Sequence, residues 1–356
     1  MKVAIDATPL TLTSGGVTRY TQELSCALAR EFPGDDFFLL CDHPFTMPPA
    51  PPANLVEGSL PGNRIEKRWW LAGLQCAMSR RGCDLFHGTN FLAPWLPTRP
   101  SVVTVHDISL WLDQGWHGDS GFLRWRIPTQ IGLGLATMFV TPTQVVRRQV
   151  IDYFRLHPAR VVAVPLGASP ELRPVAANPG RVPYFVYVGT LEPRKNLGML
   201  LNAWRTVCAR HKIELVLAGR RRADFRVPLE PEPGLHLLGE VPDAELPALY
   251  SGAAAVLYPS SYEGFGLPVL EALQCGALVI ASNDPAVREV AGDAAIFLDP
   301  RDERAWAESM SACVANPESV AHIRARALGR AALYSWARTA QLTREVYVEA
   351  LSRWSG

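Results

Sequence analysis

The chain has 356 residues, 48% of them hydrophobic, and a formal net charge of +1. That length predicts two domains of ordinary size with substantial cores, and the near-neutral balance gives no reason to expect nucleic acid as a partner. The seven cysteines form no C-x-x-C pair and no zinc-spaced cluster with histidine, so they read as reduced thiols of a cytoplasmic protein, with no metal site.

A strand starts at Lys2, which predicts no signal peptide. No apolar run reaches the ~18 residues of a membrane span, although contact with a membrane surface stays open. Met1 to Ala7 reads as a short strand. Thr13-Ser14-Gly15-Gly16 follows, then an amphipathic helix from about Val17 to Phe32. A glycine pair between strand and helix lets the backbone approach a phosphate, so Gly15 and Gly16 are candidate phosphate contacts. Their spacing is not G-x-G-x-x-G. Phe37 to Cys41 is the next strand. His43 to Gly62 is proline-rich and predicts a long surface excursion. Asn63 to Met78 predicts a helix and Asp84 to His87 a strand.

Ser101 to His106 predicts a β-branched strand ending at His106-Asp107. Polar residues at the carboxyl end of a parallel strand are where α/β proteins place their ligands, which makes His106 a candidate catalytic residue. Asp107 either orients it or caps the turn that follows. Ile108 to Ile127 carries Trp111, Trp116, Phe122 and Trp125 with Arg124 and Arg126. It suits an acceptor sugar, a membrane interface or a helix burying its aromatics in the core. Met138 to Thr141 and Val161 to Val164 predict strands on either side of a helix from Val145 to Phe154.

Gly167 to Pro183 has prolines at 170, 174, 179 and 183 and little periodicity, so it reads as a linker. The expected division is a first domain at 1–168, a linker at 169–183, a second domain at 184–336, and a final helix at 337–356 returning to the first domain. Strand–helix alternation in both halves predicts parallel sheets with helices on both faces.

In the second half Tyr184 to Val188 predicts a strand, followed by Gly189-Thr190-Leu191-Glu192-Pro193-Arg194-Lys195-Asn196 and a helix to about His211. Arg194 and Lys195 at a strand-to-helix turn suit a diphosphate: arginine binds two oxygens at once and lysine acts as a point charge. Ile213 to Ala218 predicts a strand, and Arg220-Arg221-Arg222 after it reads as a solvated loop, with contact to a phosphate or an acceptor as the alternative. After a strand at Leu235 to Leu238, Asp243 is expected to cap a helix from Ala244 to Tyr250. Ala253 to Tyr258 predicts a buried strand and Leu267 to Leu273 a helix, with Pro268 at its first position. The turn between them, Ser260 to Gly266, has the geometry that holds an anion. Glu263 at its tip and Glu271 in the helix would repel a phosphate, so each is better placed to accept ligand hydroxyls. Hydroxyls on both sides of a phosphate describe a nucleotide-sugar. Leu278 to Ala281 and Ala295 to Leu298 predict the last strands.

Glu263 and Glu271, with Gly264-Phe265-Gly266-Leu267-Pro268 between them, resemble the signature of the family 4 retaining glycosyltransferases. Val-Thr-Val-His-Asp around His106 and the basic pair at Arg194 and Lys195 are similar to further motifs of that family. The resemblance implies a GT-B fold, two Rossmann-like domains facing a cleft, and transfer of a hexose from a nucleotide-sugar to a glycan or lipid-linked glycan. It implies donor contacts at Gly15, Gly16, Arg194, Lys195, Val241, Glu263, Gly264, Phe265, Gly266, Leu267 and Glu271. It assigns catalytic roles to His106, Glu263 and Lys195, and no cofactor beyond the GDP- or UDP-sugar itself. The Leu-Glu-Pro-Arg-Lys-Asn run looks most like mannosyl-type members. Thr190 stands where many members carry arginine, which leaves open whether Arg194 fills that role. A nucleotide-sugar epimerase on the same fold, or a non-catalytic scaffold in polysaccharide assembly, remain the alternatives.

Overall fold

The computed structural model describes residues 1–12, 15–117, 120–176 and 182–354. Thr13 and Ser14 of the first glycine loop, and Pro179 of the proline-rich linker, lie outside the described residues. By contacts the chain divides into two units, one of residues 1–111, 119–167 and 336–356, the other of residues 112–118 and 168–335. The short segment 112–117 thus packs with the second unit, although the chain before it belongs to the first.

The first unit is built on a seven-stranded sheet. Its strands are β1 (Lys2–Asp6), β2 (Asp36–Leu40), β3 (Leu55–Glu57), β4 (Leu85–Gly88), β5 (Ser101–Thr104), β6 (Met138–Thr141) and β7 (Val161–Ala163). They lie in the order β3-β2-β1-β4-β5-β6-β7, every pair parallel. The second unit has β8 (Tyr184–Val188), β9 (Glu214–Ala218), β10 (Leu235–Gly239), β11 (Ala255–Tyr258), β12 (Val279–Ser282) and β13 (Ala295–Leu298). Their order is β10-β9-β8-β11-β12-β13, again parallel throughout. Parallel strands covered by helices on both faces carry unbroken apolar runs, as in Phe185-Val186-Tyr187 and Val256-Leu257-Tyr258, all 2% exposed or less. Both orders reverse direction beside their first strand, which is the doubly wound Rossmann topology and places a ligand crevice at the carboxyl ends of the strands there. The fold is of the GT-B class, as expected.

The last helix, Trp336–Arg353, returns to the first unit and packs along the helix Gly16–Glu31. Its attachment is polar as well as apolar. Tyr347 hydroxyl lies 2.6 Å from His87 Nδ1, His87 Nε2 lies 2.8 Å from Thr104 Oγ1, and Tyr20 hydroxyl lies 2.8 Å from the same Thr104 oxygen. All four side chains are buried. Burial pushes the His87 imidazole down to about 3, so it stands there neutral.

Local differences from the sequence expectations have physical causes. The proline-rich excursion contains β3, an edge strand paired only with β2, and prolines beside a short edge strand remove no ladder bond. The helix expected from Asn63 starts at Trp69, with one wide turn, Trp69–Gly73, before the regular helix Leu74–Arg81. Asn63 and Glu66 instead close a turn: Asn63 Oδ1 accepts from Ile65 N and Glu66 N, and Glu66 pairs with Arg80 at 2.8 Å. Asp243 lies inside a short 3-10 turn, Asp243–Glu245, with Pro242 at the cap position. Pro268 occupies the second helical position, where the N–H is also unused. Among the described residues no helix is long and apolar enough to cross a membrane.

Replacing Tyr347 by phenylalanine leaves a buried imidazole nitrogen without its partner. The expected cost is about 1–2 kcal/mol, measurable as a lower urea midpoint at unchanged m-value.

Candidate active site

Arg194 and Lys195, and the turn from Glu263 to Leu267 with Glu271 behind it, follow the carboxyl ends of β8 and β11, adjacent strands at the point where the sheet order reverses, whereas Val241 follows the edge strand β10. Gly189 after β8 (φ +148°) and Gly219 after β9 (φ +141°) bring two loop backbones into contact. A Cβ on Gly219 would sit 2.0 Å from the Gly189 carbonyl oxygen. This approach sets the course of the loop that delivers Glu192, Arg194 and Lys195. After β11, Gly266 takes a left-handed conformation (φ +91°) and caps the helix Leu267–Gln274, which only glycine adopts without strain.

Glu263 is 6% exposed, and its two oxygens meet two cations. Lys195 Nζ lies 2.5 Å from Oε1 and Arg194 Nη1 3.1 Å from Oε2. Arg194 also donates to the Tyr262 carbonyl at 2.6 Å and pairs with Glu192 at 2.9 Å. Lys195, 7% exposed, reaches the Tyr258 hydroxyl at 3.4 Å and lies 5.3 Å from that ring's centre. Burial alone would raise the Glu263 carboxyl, but Lys195 and Arg194 outweigh it and hold the group down at about 2. Burial, and then Arg194, draw Lys195 below its ordinary value, against the pull of Glu263. The pair is therefore an ionised carboxylate held by two cations in a dry setting. The Glu263 backbone N–H donates to Asp284 Oδ2 at 3.2 Å, while Asp284 Oδ1 accepts from Ala286 N and Val287 N. Burial pushes the Asp284 carboxyl up to about 6.

Glu271 is 4% exposed and accepts the Tyr250 hydroxyl at 2.9 Å. Gly264, Phe265 and Gly266 are buried in the turn, and Leu267 opens the helix. Phe265 packs edge-on against Tyr334 at 5.9 Å. Val241 is half-buried in the loop after β10.

Sequence reasoning missed several members of this cluster. Arg222, read as part of a solvated loop, instead pairs with Glu192 and with Asp224, each at 2.5 Å, and donates to the Trp116 carbonyl. Trp116 stacks on Tyr262 at 5.9 Å and 16°. Nothing in a run of three arginines distinguishes the one that folds back. The signal that existed was Glu192, an acid two residues before the basic pair. Tyr258 and Tyr250 left no local signal, because each acts across the fold; Asp284 did carry one, as the cap before Pro285, although its bond to the Glu263 N–H crosses the fold.

The first unit holds His106, Gly15 and Gly16. Gly15 (φ +129°) precedes the helix Gly16–Glu31. His106, half-buried, places Nε2 2.8 Å from the Thr89 carbonyl oxygen. A carbonyl only accepts, so Nε2 carries the proton and Nδ1 keeps its lone pair. Burial lowers the His106 pKa, opposed by the Thr89 bond and by Asp107. The Tyr20 ring stands edge-on to it at 4.8 Å and 86°. Asp107 caps the next turn, accepting from Ser109 N and Oγ at 2.8 and 2.5 Å. The aromatic segment is broken into the helical turn Ser109–Leu112, the 3-10 turn Gln114–Trp116 and the helix Gly121–Gly132. Phe122 and Trp125 are 65% and 60% exposed, so they are not buried in the core.

Comparison with known proteins gives two family matches, Glycosyltransferase Family 4 over residues 14–172 and Glycosyl transferases group 1 over residues 168–330. The chain is 32% identical over 283 residues to an O-antigen chain mannosyltransferase B of Escherichia coli, covering 74% of each chain. Among solved structures it is similar to a sucrose-phosphate synthase of Thermosynechococcus elongatus, with TM-score 0.78, 19% identity and 99% of both chains covered. It is also similar to HepE of Anabaena in complex with UDP-glucose, with TM-score 0.75, 18% identity, and 98% and 100% of the two chains covered.

Replacing Glu263 by glutamine leaves two buried cations without their carboxylate. The carboxyl drops from its ordinary 4.5 to about 2 on folding, equivalent to about 3 kcal/mol. A lowered carboxylate pKa stabilises fully above pH 4.5, and that stability is lost as pH falls through about 2. The wild-type advantage over Glu263→Gln in urea unfolding is therefore expected to be largest at neutral pH and to shrink steadily below pH 4.5.

Proposed function

The chain belongs to glycosyltransferase family 4, and on that premise we propose that it is a retaining mannosyltransferase acting on a glycan or lipid-linked glycan from GDP-mannose. The observation that carries the site assignment is the buried, ionised Glu263 held between Lys195 and Arg194 where the sheet order of the second unit reverses. The mannose assignment is supported by the Escherichia coli mannosyltransferase relative.

In this reading the oxygens of Glu263 take hydroxyls of the donor hexose, its two cations fixing their direction. Lys195 spends two of its three N–H groups on Glu263 and Tyr258, and its third serves the diphosphate. Arg194 adds positive charge beside it. Gly264, Phe265, Gly266 and Leu267 offer backbone N–H groups at the start of the helix. Glu271 takes the ribose hydroxyls and Val241 packs on the base. In the first unit, Gly15 and Gly16 offer backbone that suits a phosphate, and His106 offers Nδ1 as an acceptor for a sugar hydroxyl.

The bond from the anomeric carbon to the diphosphate breaks as the acceptor oxygen forms a new bond on the same face. The departing diphosphate takes the acceptor's proton. Charge builds up on that leaving group, so preorganised cations lower the barrier more than they favour the ground state.

Thermal shift with GDP, UDP and ADP at matched concentrations tests the donor assignment. GDP is expected to raise the melting temperature most, and Glu271→Ala to lose that shift. A UDP-specific shift overturns the base assignment, and no shift with any of the three overturns the site. Lys195→Ala is expected to lower kcat about 10²–10³-fold while the variant still melts cooperatively.

A further inference from the structure

Unlike Arg194, Lys195 and Arg222, Arg126 makes no ion pair among the described residues. It lies inside the helix Gly121–Gly132 and is 7% exposed. Its guanidinium carbon is 5.0 Å from the ring centre of Trp70, 5.7 Å from Trp95 and 5.9 Å from Phe122. Its Nε and Nη2 atoms are buried and find no hydrogen-bond partner among the described residues. Aromatic faces attract a cation, but they leave its in-plane N–H groups unmet, and a buried polar group without a partner is costly. Asp6 acts on Arg126 electrostatically, yet Asp6 Oδ1 already accepts from Thr8 N and Thr8 Oγ1 at 3.0 and 2.6 Å.

The surroundings suit a sugar. Trp125 lies 6.4 Å from Trp95 and 6.3 Å from Phe122, and both Trp125 and Phe122 are mostly exposed, so the rim of the cage faces solvent while the guanidinium lies covered beneath it. Trp95 N donates to the Trp70 carbonyl at 2.9 Å, and the Gln130 side chain bonds the Ala93 backbone on both its N–H and C=O. These bonds tie the loop after β4 to the helix. Asp6, which acts on Arg126 electrostatically, is linked in turn to the candidate chemistry. Asp6 ends β1, Thr89 follows β4, and Thr89 links the Asp6 carbonyl at 2.8 Å to His106 at 2.8 Å.

We propose that Arg126 and its aromatic cage form an acceptor subsite for a saccharide carrying an oxyanion, either a phosphate ester or a carboxylate. The planar guanidinium receives two of the oxygens at once, and the exposed faces of Trp125 and Phe122 carry the sugar. This rests on the glycosyltransferase reading and adds to it the chemical class of the acceptor. An apolar surface alone would suit a lipid, but a buried guanidinium lacking partners calls for an anion.

The test titrates tryptophan fluorescence of the full chain with the donor site first saturated by GDP. The probes are mannose 1-phosphate, glucuronic acid, farnesyl diphosphate and neutral methyl α-mannoside. At least one anionic probe is expected to bind at least tenfold more tightly than the neutral glycoside. Glucuronic acid as the tightest probe identifies an acidic sugar, mannose 1-phosphate a phosphorylated one, and farnesyl diphosphate a lipid-linked diphosphate. Arg126→Met is expected to abolish the preference and Arg126→Lys to recover part of it. Trp125→Ala, at an exposed position that does not threaten folding, is expected to weaken the sugar-bearing probe at least threefold. Equal binding of charged and neutral probes, no binding at all, or wild-type affinities in both Arg126→Met and Trp125→Ala overturn the subsite. The GDP thermal shift is read in every variant. If it persists while the subsite fails, the donor assignment stands; if it is absent from the wild type, the donor assignment fails and the anion titration is read without it.

Discussion

The second unit turns on one buried carboxylate. Glu263 sits on the loop after β11, and the cations that hold it, Lys195 and Arg194, come from the loop after β8. The ion pair therefore fastens together the two loops that flank the crevice of a doubly wound sheet. Removing one partner of such a pair leaves an uncompensated charge in a dry place, so neither loop can drift without a large cost. Glu192 extends the arrangement by holding Arg194 on one oxygen and Arg222 on the other. Three cations, Lys195, Arg194 and Arg222, thus face three carboxylates, Glu263, Glu192 and Asp224.

The first unit is organised by the opposite device, a set of neutral groups. His87 is buried deeply enough to stay uncharged, and it joins Tyr347 of the last helix to Thr104 at the end of β5. Tyr20 shares Thr104 and packs its ring edge on His106. The orientation of His106 is thus supported on one side by the Thr89 carbonyl and on the other by a ring fixed through the same buried network. A network of this kind is stable only when every member is satisfied, which ties the returning C-terminal helix to the position of the candidate catalytic residue.

Set side by side, the two units treat arginine differently. Arg194 and Arg222 are surrounded by carboxylates that belong to the protein. Arg126 is surrounded by aromatic rings and retains unmet N–H groups. The first arrangement favours binding a ligand's hydroxyls on the fixed carboxylate and its anionic part on the remaining donors. The second favours a ligand that brings its own negative charge.

The sequence by itself determined the alternation of strands and helices, the glycine turn leading into Leu267–Gln274, and the placing of Glu263 on one strand-to-helix turn and of Arg194 and Lys195 on another. Those are local matters: apolar runs, a left-handed glycine and charges fixed at the ends of adjacent strands. It did not reveal β3, since three residues among prolines become a strand only when β2 supplies the ladder. It misread Arg222, because a charged run looks solvated until Glu192 and Asp224 are brought to it. It left the aromatic segment open among three uses, and only tertiary packing put Arg126 under Trp70 and Trp95 while leaving Phe122 and Trp125 in solvent. Local pattern is written in neighbouring residues, whereas the partner of a buried charge is chosen by the crossing of distant loops. That second choice was decided by the tertiary structure alone.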